Sequence, residues 1–498
     1  MIKWALRQYM TARARAVESS LSNPHAAQRS AFARLSRLLH GSEIARSSGF
    51  DRCRQFEDCR RIPPSDSLSM QPLFQTLYEN GSAAHALIGR SRLHAFARTS
   101  GTQGEPKHIP MNAAYVASLD RTLEAMVASH YYTSGRWDKL LSGRHILLGS
   151  RPRCGTAPCG LPVCDISGFI PTRTWWSARW LYIPHHKDLW IEDWSAKMDR
   201  ILDQARDKRV VSITGIPALA EDFAVRAMSR FGISRLTEVW PDLSEYTYGA
   251  CHLSAAEQAR ITRAWVGAER ALRIYETYVA TEAALGFSFD HRDEGLALNL
   301  LENLYLLSPH SNPGEFLFPH EAREGIPYSV HVTTPGGLVN YRMGDLIEVV
   351  STRPLLVKVV GREYDELSMT GEKITLAQLD LALEAAGLSA ARFTPYKPVV
   401  WIERAGLPHL VWALPPATDG EAIDLNCAAR LDQELCKRNV LYEEAKAREG
   451  VVGDSRVVTL AGPVFSGYQD GQLGIGQFKP KRMFQSHAEF MATYLRPE

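Results

Sequence analysis

Thr99-Ser100-Gly101-Thr102-Gln103-Gly104-Glu105-Pro106-Lys107 is the stretch on which the reading turns. Gly101 and Gly104 leave the backbone free to approach a polyanion. The hydroxyls of Thr99, Ser100 and Thr102 can join backbone N–H groups in cradling phosphate oxygens, and Lys107 adds charge. This is the composition of a phosphate-binding loop. It is not a Walker A loop, because Pro106 stands where that motif needs glycine and His108 follows the lysine in place of serine or threonine. Taken alone, the same residues also read as a Gly/Ser turn between a strand and a helix.

Downstream of Pro110, the apolar residues Tyr115, Leu119, Leu123, Met126 and Val127 recur at helical spacing, with Asn112 as a cap. The stretch 99–107 is therefore expected to be a loop that feeds a helix. Further on, short apolar runs at 145–148, 210–213 and 236–240 read as strands. They alternate with helical stretches at 191–206, 218–230 and 255–284, the pattern of a parallel sheet with crossover helices. Between 315 and 361 the texture changes to short strands separated by Pro-Gly-Gly or charged turns, a hairpin-rich or barrel-like region. Upstream, residues 1 to about 60 read as helical. From about 362 the chain restarts, with a helix near 375–386, strands near 397–402 and 409–413, and a long helix at 420–446.

The 498 residues exceed what one ordinary core accommodates, so more than one domain is expected. Hydrophobic residues at 45% and charged residues at 22% are those of a globular protein. Lys and Arg number 57 against 55 Asp and Glu, a balance that gives no general attraction to nucleic acid or anionic lipid. No run is apolar enough to span a bilayer and no signal core opens the chain, which points to the cytoplasm. The eight cysteines read as thiols there. Cys154, Cys159 and Cys164 are too widely spaced for a zinc site and lack a fourth ligand. The adjacent His185 and His186 do not suit one ion either.

The company of the loop carries the chemistry. Tyr278-Val-Ala-Thr281-Glu282, Tyr341-Arg-Met-Gly-Asp345, Gly361-Arg362, Gly371-Glu372-Lys373 and Gln477-Phe-Lys479-Pro-Lys-Arg482 follow in order. Glu282, beside a hydroxyl, is a hard oxygen ligand suited to a magnesium ion that also touches substrate phosphates. Asp345, at a turn after Gly344, can accept hydrogen bonds from ribose hydroxyls. Arg362 and Lys479 are cations for the phosphates or for charge developing on the leaving group. Each has a plainer reading, as a capping glutamate, a common Gly-Asp turn or a solvated basic face.

Together these segments resemble the auxin-responsive family of acyl-acid amido synthetases, plant hormone-conjugating enzymes with bacterial relatives, within the superfamily of adenylate-forming enzymes. The resemblance spans nearly the whole chain. It runs through Asn23-Pro24 with Gln28, the Thr-Ser-Gly-Thr loop with Ile109-Pro110, Asp165-Ile-Ser-Gly168, Thr214-Gly-Ile-Pro217 and Val239-Trp-Pro241. It continues in Glu315-Phe316, Tyr341-Arg342 with Gly344-Asp345, Gly371-Glu372-Lys373, and Gln477 with Lys479. It implies that Ser100 and Thr102 hold ATP phosphates, that Tyr278 to Glu282 border the nucleotide with Glu282 near magnesium, and that Asp345 holds the ribose with Arg362 following at the domain junction. Departures are Gln103 for a second threonine, Ala283 for a glycine, and Pro480 directly after Lys479.

The expected fold is α/β, that of an adenylate-forming enzyme. A large domain over 1–360 has sheets flanked by helices and a barrel-like portion; a hinge at 361–372 leads to a small α+β lid at 373–498. The expected activity consumes ATP with Mg²⁺ to adenylate a carboxylic acid and passes the acyl group to an amine, by the resemblance that of an amino acid. Catalytic roles fall to Lys479, Glu282 and Arg362, and nucleotide contacts to Thr99, Ser100, Gly101, Thr102, Gly104, Lys107, Tyr278, Thr281 and Asp345. For the acid, Trp175 and Trp176, with Phe169 and Trp180 nearby, either wall an aromatic pocket or pack an interior. Arg121 either pairs with a carboxylate or is an exposed helix arginine. Neither nucleic acid nor membrane is an expected partner, and a monomer is favoured. An acyl-CoA ligase and a non-catalytic binder of acid and nucleotide are the rival readings.

Overall fold

The computed structural model describes residues 2–98, 107–149, 152–173, 179–249, 253, 255–363, 366–370, 374–393, 396–418, 423–424, 427–448, 450–469 and 481–494. The chain divides into two compact units. One comprises 1–252, 264–359 and 475–477, the other 253–263, 360–474 and 478–498.

In the first unit an 11-stranded sheet runs in the order Leu304–Pro309, Pro327–Thr333, Tyr341–Thr352, Leu355–Arg362, Leu296–Leu298, Ala284–Phe287, Arg273–Val279, Glu245–Gly249, Val210–Thr214, Arg144–Leu147, Tyr182–Ile183. The five strands from Arg273–Val279 to Tyr182–Ile183 are mutually parallel. Helices Trp194–Ala205 and Pro217–Phe231 are among their connections, as the alternation of runs predicts. The hairpin-rich texture of 315–361 is the antiparallel end of this sheet.

That end is curled. Tyr278, on Arg273–Val279, donates from its phenol to the Asp345 carboxylate at 2.8 Å, although four strand-to-strand steps separate the two strands in the sheet order. Four steps of a flat sheet would cover about 19 Å. The strands therefore wrap around their own side chains, and Leu285, Leu298, Leu306, Val330, Val332, Ile347 and Val357 fill one core. This is the barrel-like portion.

A second sheet orders His108–Asn112, Leu93–Arg98, Pro162–Cys164 and Gly155–Thr156. Arg98 lies opposite His108 in an antiparallel pair, so the glycine-bearing stretch links two strands. It reaches the helix Ala113–Ser134 only through a short strand.

Three other expectations change. Residues 236–240 are a short turn and not a strand: Pro241 follows, and Trp240 is buried, stacked on Phe223, its indole donating to the Ala205 carbonyl at 2.9 Å. The helix expected over 255–284 stops at Val266, where Gly267 takes φ +91°, a left-handed conformation that ends helices. The long helix at 420–446 breaks, because Asn439 starts a new segment by accepting the Tyr442 N–H at 2.9 Å.

In the second unit the sheet order is Arg456–Thr459, His409–Leu414, Val399–Glu403, Met483–Phe484. Alternate residues serve opposite faces. Val400, Ile402, Leu410 and Trp412 pack with Leu379, Leu383, Leu431 and Leu435 of two helices. Val399, Trp401, Val411 and Ala413 pack with Phe465, Phe490 and Tyr494. Among the described residues no helix is long and apolar enough to cross a membrane.

Candidate active site

Strands Arg273–Val279 and Ala284–Phe287 form a hairpin, whose turn closes through Ala280 N–H donating to the Ala283 carbonyl at 2.9 Å. Thr281 and Glu282 are its two central residues. They follow the carboxyl end of a parallel strand, where α/β sheets place their ligands.

Tyr115, in the first turn of Ala113–Ser134, fixes this turn by donating its phenol to the Thr281 carbonyl at 3.0 Å. Burial, and then the charge of Glu282, push the Tyr115 phenol well above its usual pKa. The same two causes act in the same order on Tyr341. The Glu282 carboxylate thus lies in the field of two neutral phenols, half-buried, while Thr281 is buried.

Asn112 orients the start of the helix. Its side-chain oxygen accepts the Tyr115 N–H at 2.9 Å, and its amide donates to the Gly336 carbonyl at 3.2 Å. At Gly337, φ is +104° and an added Cβ would sit 2.3 Å from the Ile88 carbonyl oxygen, so only glycine fits that turn.

Asp345 owes its position to a bulge. Ser329 pairs with Leu346 but His331 pairs with Arg342, so Val330 alone faces Met343, Gly344 and Asp345. Gly344 takes φ +76°, which bends the strand and re-aims Asp345. The carboxylate is buried and receives the Tyr278 phenol described above.

At the root of the glycine-bearing loop, Arg98 grips Asp165 with Nε to Oδ1 at 3.2 Å and the terminal nitrogen to Oδ2 at 3.3 Å. His108, on the facing strand, stacks on Tyr78, and burial followed by the Arg98 charge lowers its pKa. Lys107 is exposed at the loop's end. Thr99, Ser100, Gly101, Thr102, Gly104, Trp175, Trp176, Lys373 and Lys479 lie outside the described residues.

The structure therefore gathers Tyr278, Thr281, Glu282 and Asp345 around one core. Arg362 belongs to the second unit, half-buried at the end of Leu355–Arg362. Arg121 is engaged within the chain, its guanidinium meeting both oxygens of Glu302 at 2.7 and 2.6 Å. Its carboxylate partner here is thus a residue of the chain itself. Trp180 is 54% exposed beneath the Arg144 guanidinium. Tyr115 and the Gly336 carbonyl were missed as site components. The helical period marks Tyr115 only as apolar, and nothing in one sequence tells that its phenol is used.

Among the described residues no three His, Cys, Asp or Glu side chains cluster to hold a metal. The donor set at the turn, one carboxylate beside one hydroxyl, is hard oxygen and suits an ion that takes its remaining ligands from substrate and water.

Residues 13–205 match the family model described as GH3 family N-terminal domain. A solved GH3.15 acyl acid amido synthetase is 14% identical with a TM-score of 0.76, over 97% of this chain and 96% of that one. The AtGH3.15 enzyme in complex with 2,4-DB gives 15%, 0.77, 98% and 96%. A 2-hydroxyisobutyryl-CoA ligase in the postadenylation state, in complex with 2-HIB-AMP, gives 13%, 0.57, 93% and 90%. No curated protein sequence matches. The resemblance read from the motifs is borne out: residues 13–205 match the GH3 family N-terminal domain model, and over nearly its whole length the chain has the fold of these solved enzymes.

Proposed function

We propose that the protein is an ATP-dependent ligase that adenylates a carboxylic acid and transfers the acyl group to the amine of an amino acid. The carrying observation is the buried assembly in which Tyr278 holds Asp345 and Tyr115 holds the turn of Thr281 and Glu282, within the GH3 family match.

A carboxylate is a poor acyl donor because its carbonyl is electron-rich. Attack of its oxygen on the α-phosphorus of ATP forms the acyl–AMP anhydride and expels pyrophosphate; attack by the amine then forms the amide and expels AMP. Asp345 accepts from the ribose hydroxyls and, with Tyr278, fixes where the nucleoside sits. Glu282 and the Thr281 hydroxyl are the residues that would hold Mg²⁺, which when bound neutralises phosphate charge. The hydroxyls and N–H groups of 99–104, with Lys107, hold the phosphates; Arg362 follows the ribose, and Lys479 the developing charge. Residues 361–372 act as the hinge of a small lid. The work of these groups is alignment and charge neutralisation. The proposed setting is the cytoplasm, with the protein acting as a monomer.

The test is pyrophosphate release from purified protein, requiring ATP, Mg²⁺ and an acid together. Release of ADP and orthophosphate would overturn the proposal. The coenzyme A ligase at TM-score 0.57 motivates one rival, a thiol acceptor. Supplying coenzyme A and amino acids in parallel decides between them.

A further inference from the structure

Five residues separate Cys53 from Cys59, and the chain between them folds back on itself. The Asp58 carboxylate accepts the N–H groups of Arg54 and Gln55 at 3.0 and 3.1 Å, and the Asp58 N–H donates to the Gln55 carbonyl at 3.2 Å. One cysteine precedes this closed turn and the other follows it. Both side chains lie against the same core, that of the curled sheet.

The two thiols share a hydrogen bond but differ in their surroundings. Cys59 is 1% exposed. Cys53 is half-buried between the exposed Arg52 and Arg54, with its Sγ 3.9 Å from the Gly49 carbonyl oxygen. The shared proton stays with Cys59. Its hydrogen bond lowers the pKa of Cys53, against burial and the Asp58 charge, while the same bond and then burial raise Cys59. Elsewhere burial pushes Cys154 up to about 11 and Cys164 up to about 12, and raises Cys427 and Cys436. A partly exposed, acidified thiol beside a buried, protonated one is the arrangement in which oxidation at the first sulfur is resolved by the second.

We propose that Cys53 and Cys59 form a modification site for hydroperoxides, at which Cys53 is oxidised and Cys59 closes a disulfide. The Cys53 thiolate attacks a peroxide oxygen: the sulfur–oxygen bond forms, the oxygen–oxygen bond breaks, and the leaving hydroxide takes a proton from solvent. Cys59 then attacks the sulfur of the sulfenic acid. The sulfur–sulfur bond forms, the sulfur–oxygen bond breaks, and the departing hydroxide leaves as water with the Cys59 proton. The two thiols are oxidised to one disulfide, hydrogen peroxide is reduced to two waters, and an external dithiol reverses the change. In a reducing compartment such a bond is transient. The site is independent of the ligase reading.

The test is treatment of the full chain with equimolar hydrogen peroxide, followed by alkylation, trypsin digestion and mass spectrometry. Arg54 lies between the two cysteines, so cleavage there turns the disulfide into a crosslink between the dipeptide 53–54 and the peptide 55–60. This species is lighter by two hydrogens than its parts. It should appear before any other cysteine is oxidised and vanish on addition of dithiothreitol. Cys59→Ser should halt the reaction at a Cys53 sulfenic acid that dimedone traps, and Cys53→Ser should leave Cys59 unoxidised. A first disulfide involving Cys154, Cys159 or Cys164 would overturn the proposal. So would dimedone trapped on Cys59 ahead of Cys53, or a Cys53 that alkylates after peroxide as fully as before it. The crosslink in the unsubstituted chain decides the matter even where a variant fails to fold.

Discussion

Arg121 meets Glu302 in a two-point ion pair, with nitrogen–oxygen distances of 2.7 and 2.6 Å. Arg34 adds a longer contact to the same carboxylate at 3.7 Å and donates to the Leu301 and Glu302 carbonyls at 2.9 and 2.6 Å. Glu302 thereby fastens the helix Ala113–Ser134 and an N-terminal helix to the turn before Leu304–Pro309. Removing Arg121 leaves Glu302 largely buried with only Arg34 nearby. Arg121→Ala is expected to lower stability by about 1–2 kcal/mol, discounted for the arginine's partial exposure, as read from the urea midpoint. The KM for the acid should not change; an acid KM raised tenfold at unchanged stability would restore the substrate role.

Asp345→Ala removes the acceptor that the bulge at Gly344 positions. Charge-assisted hydrogen bonds are worth about 1.5–3 kcal/mol each, so ATP affinity should fall by about tenfold or more. Acid affinity measured without ATP should hold. Equal losses for both ligands would mean that the substitution collapses the curled sheet.

Two buried histidines make stability pH-dependent. His130, stacked on Tyr275 and bonded to the Ser288 carbonyl oxygen at 3.0 Å, has its pKa lowered by burial to about 3. His145, bonded to the Ser212 hydroxyl at 2.8 Å, is lowered by burial to about 4. Both fold as neutral rings, whereas the unfolded chain takes up protons near pH 6.5. Stability is therefore full above that pH and lost as pH falls toward 4 and then 3, by about 1–2 kcal/mol per histidine between pH 6.5 and 5. Urea midpoints across this range check it, and His130→Gln should flatten the slope. An unchanged slope in both His130→Gln and His145→Asn would refute the assignment.

Lys479→Ala should slow formation of the acyl-adenylate by roughly 10²-fold, the scale of losing one charge-stabilising donor. Amide formation from a chemically supplied acyl-adenylate should be nearly unaffected. Single-turnover assays of the two steps separate the outcomes: equal damage to both would make Lys479 structural, and no damage would pass the role to Lys373 or Lys481.

Much of the fold was legible because periodicity is local. The helix after Asn112, the parallel strands near 145 and 210, and the two-faced strands of the second unit all follow from apolar spacing. Where the reading failed, either a local stop or cap lay within the helical run, as at Gly267 and Asn439, or tertiary packing had overridden a local pattern. In 236–240 the apolar Leu236 and Trp240 are buried by packing, Trp240 beside Phe223, and strand and plug look alike in five residues. At the candidate site, Asp345 is read from its motif, but the bulge that aims it depends on what Val330 faces across the ladder. Arg121 could not be resolved, since Glu302 lies 181 residues away in sequence.

The curled sheet also constrains how the site comes into being during synthesis. Leu296–Leu298 has Leu355–Arg362 as a neighbour, and the pair Leu304–Pro309 and Pro327–Thr333 joins the sheet only through Tyr341–Thr352. Until residues 341–362 have emerged, that earlier hairpin has no strand to dock on, and Tyr278 has no Asp345 to hold. A nascent chain ending at residue 340 would own the glycine-bearing loop and the Glu282 turn yet bind no nucleotide, with a bare ladder edge open to aggregation. Ribosome-stalled chains of increasing length should acquire ATP binding in one step, after this segment clears the exit tunnel. Gradual acquisition from residue 290 onward would show that the turn of Thr281 and Glu282 is sufficient alone.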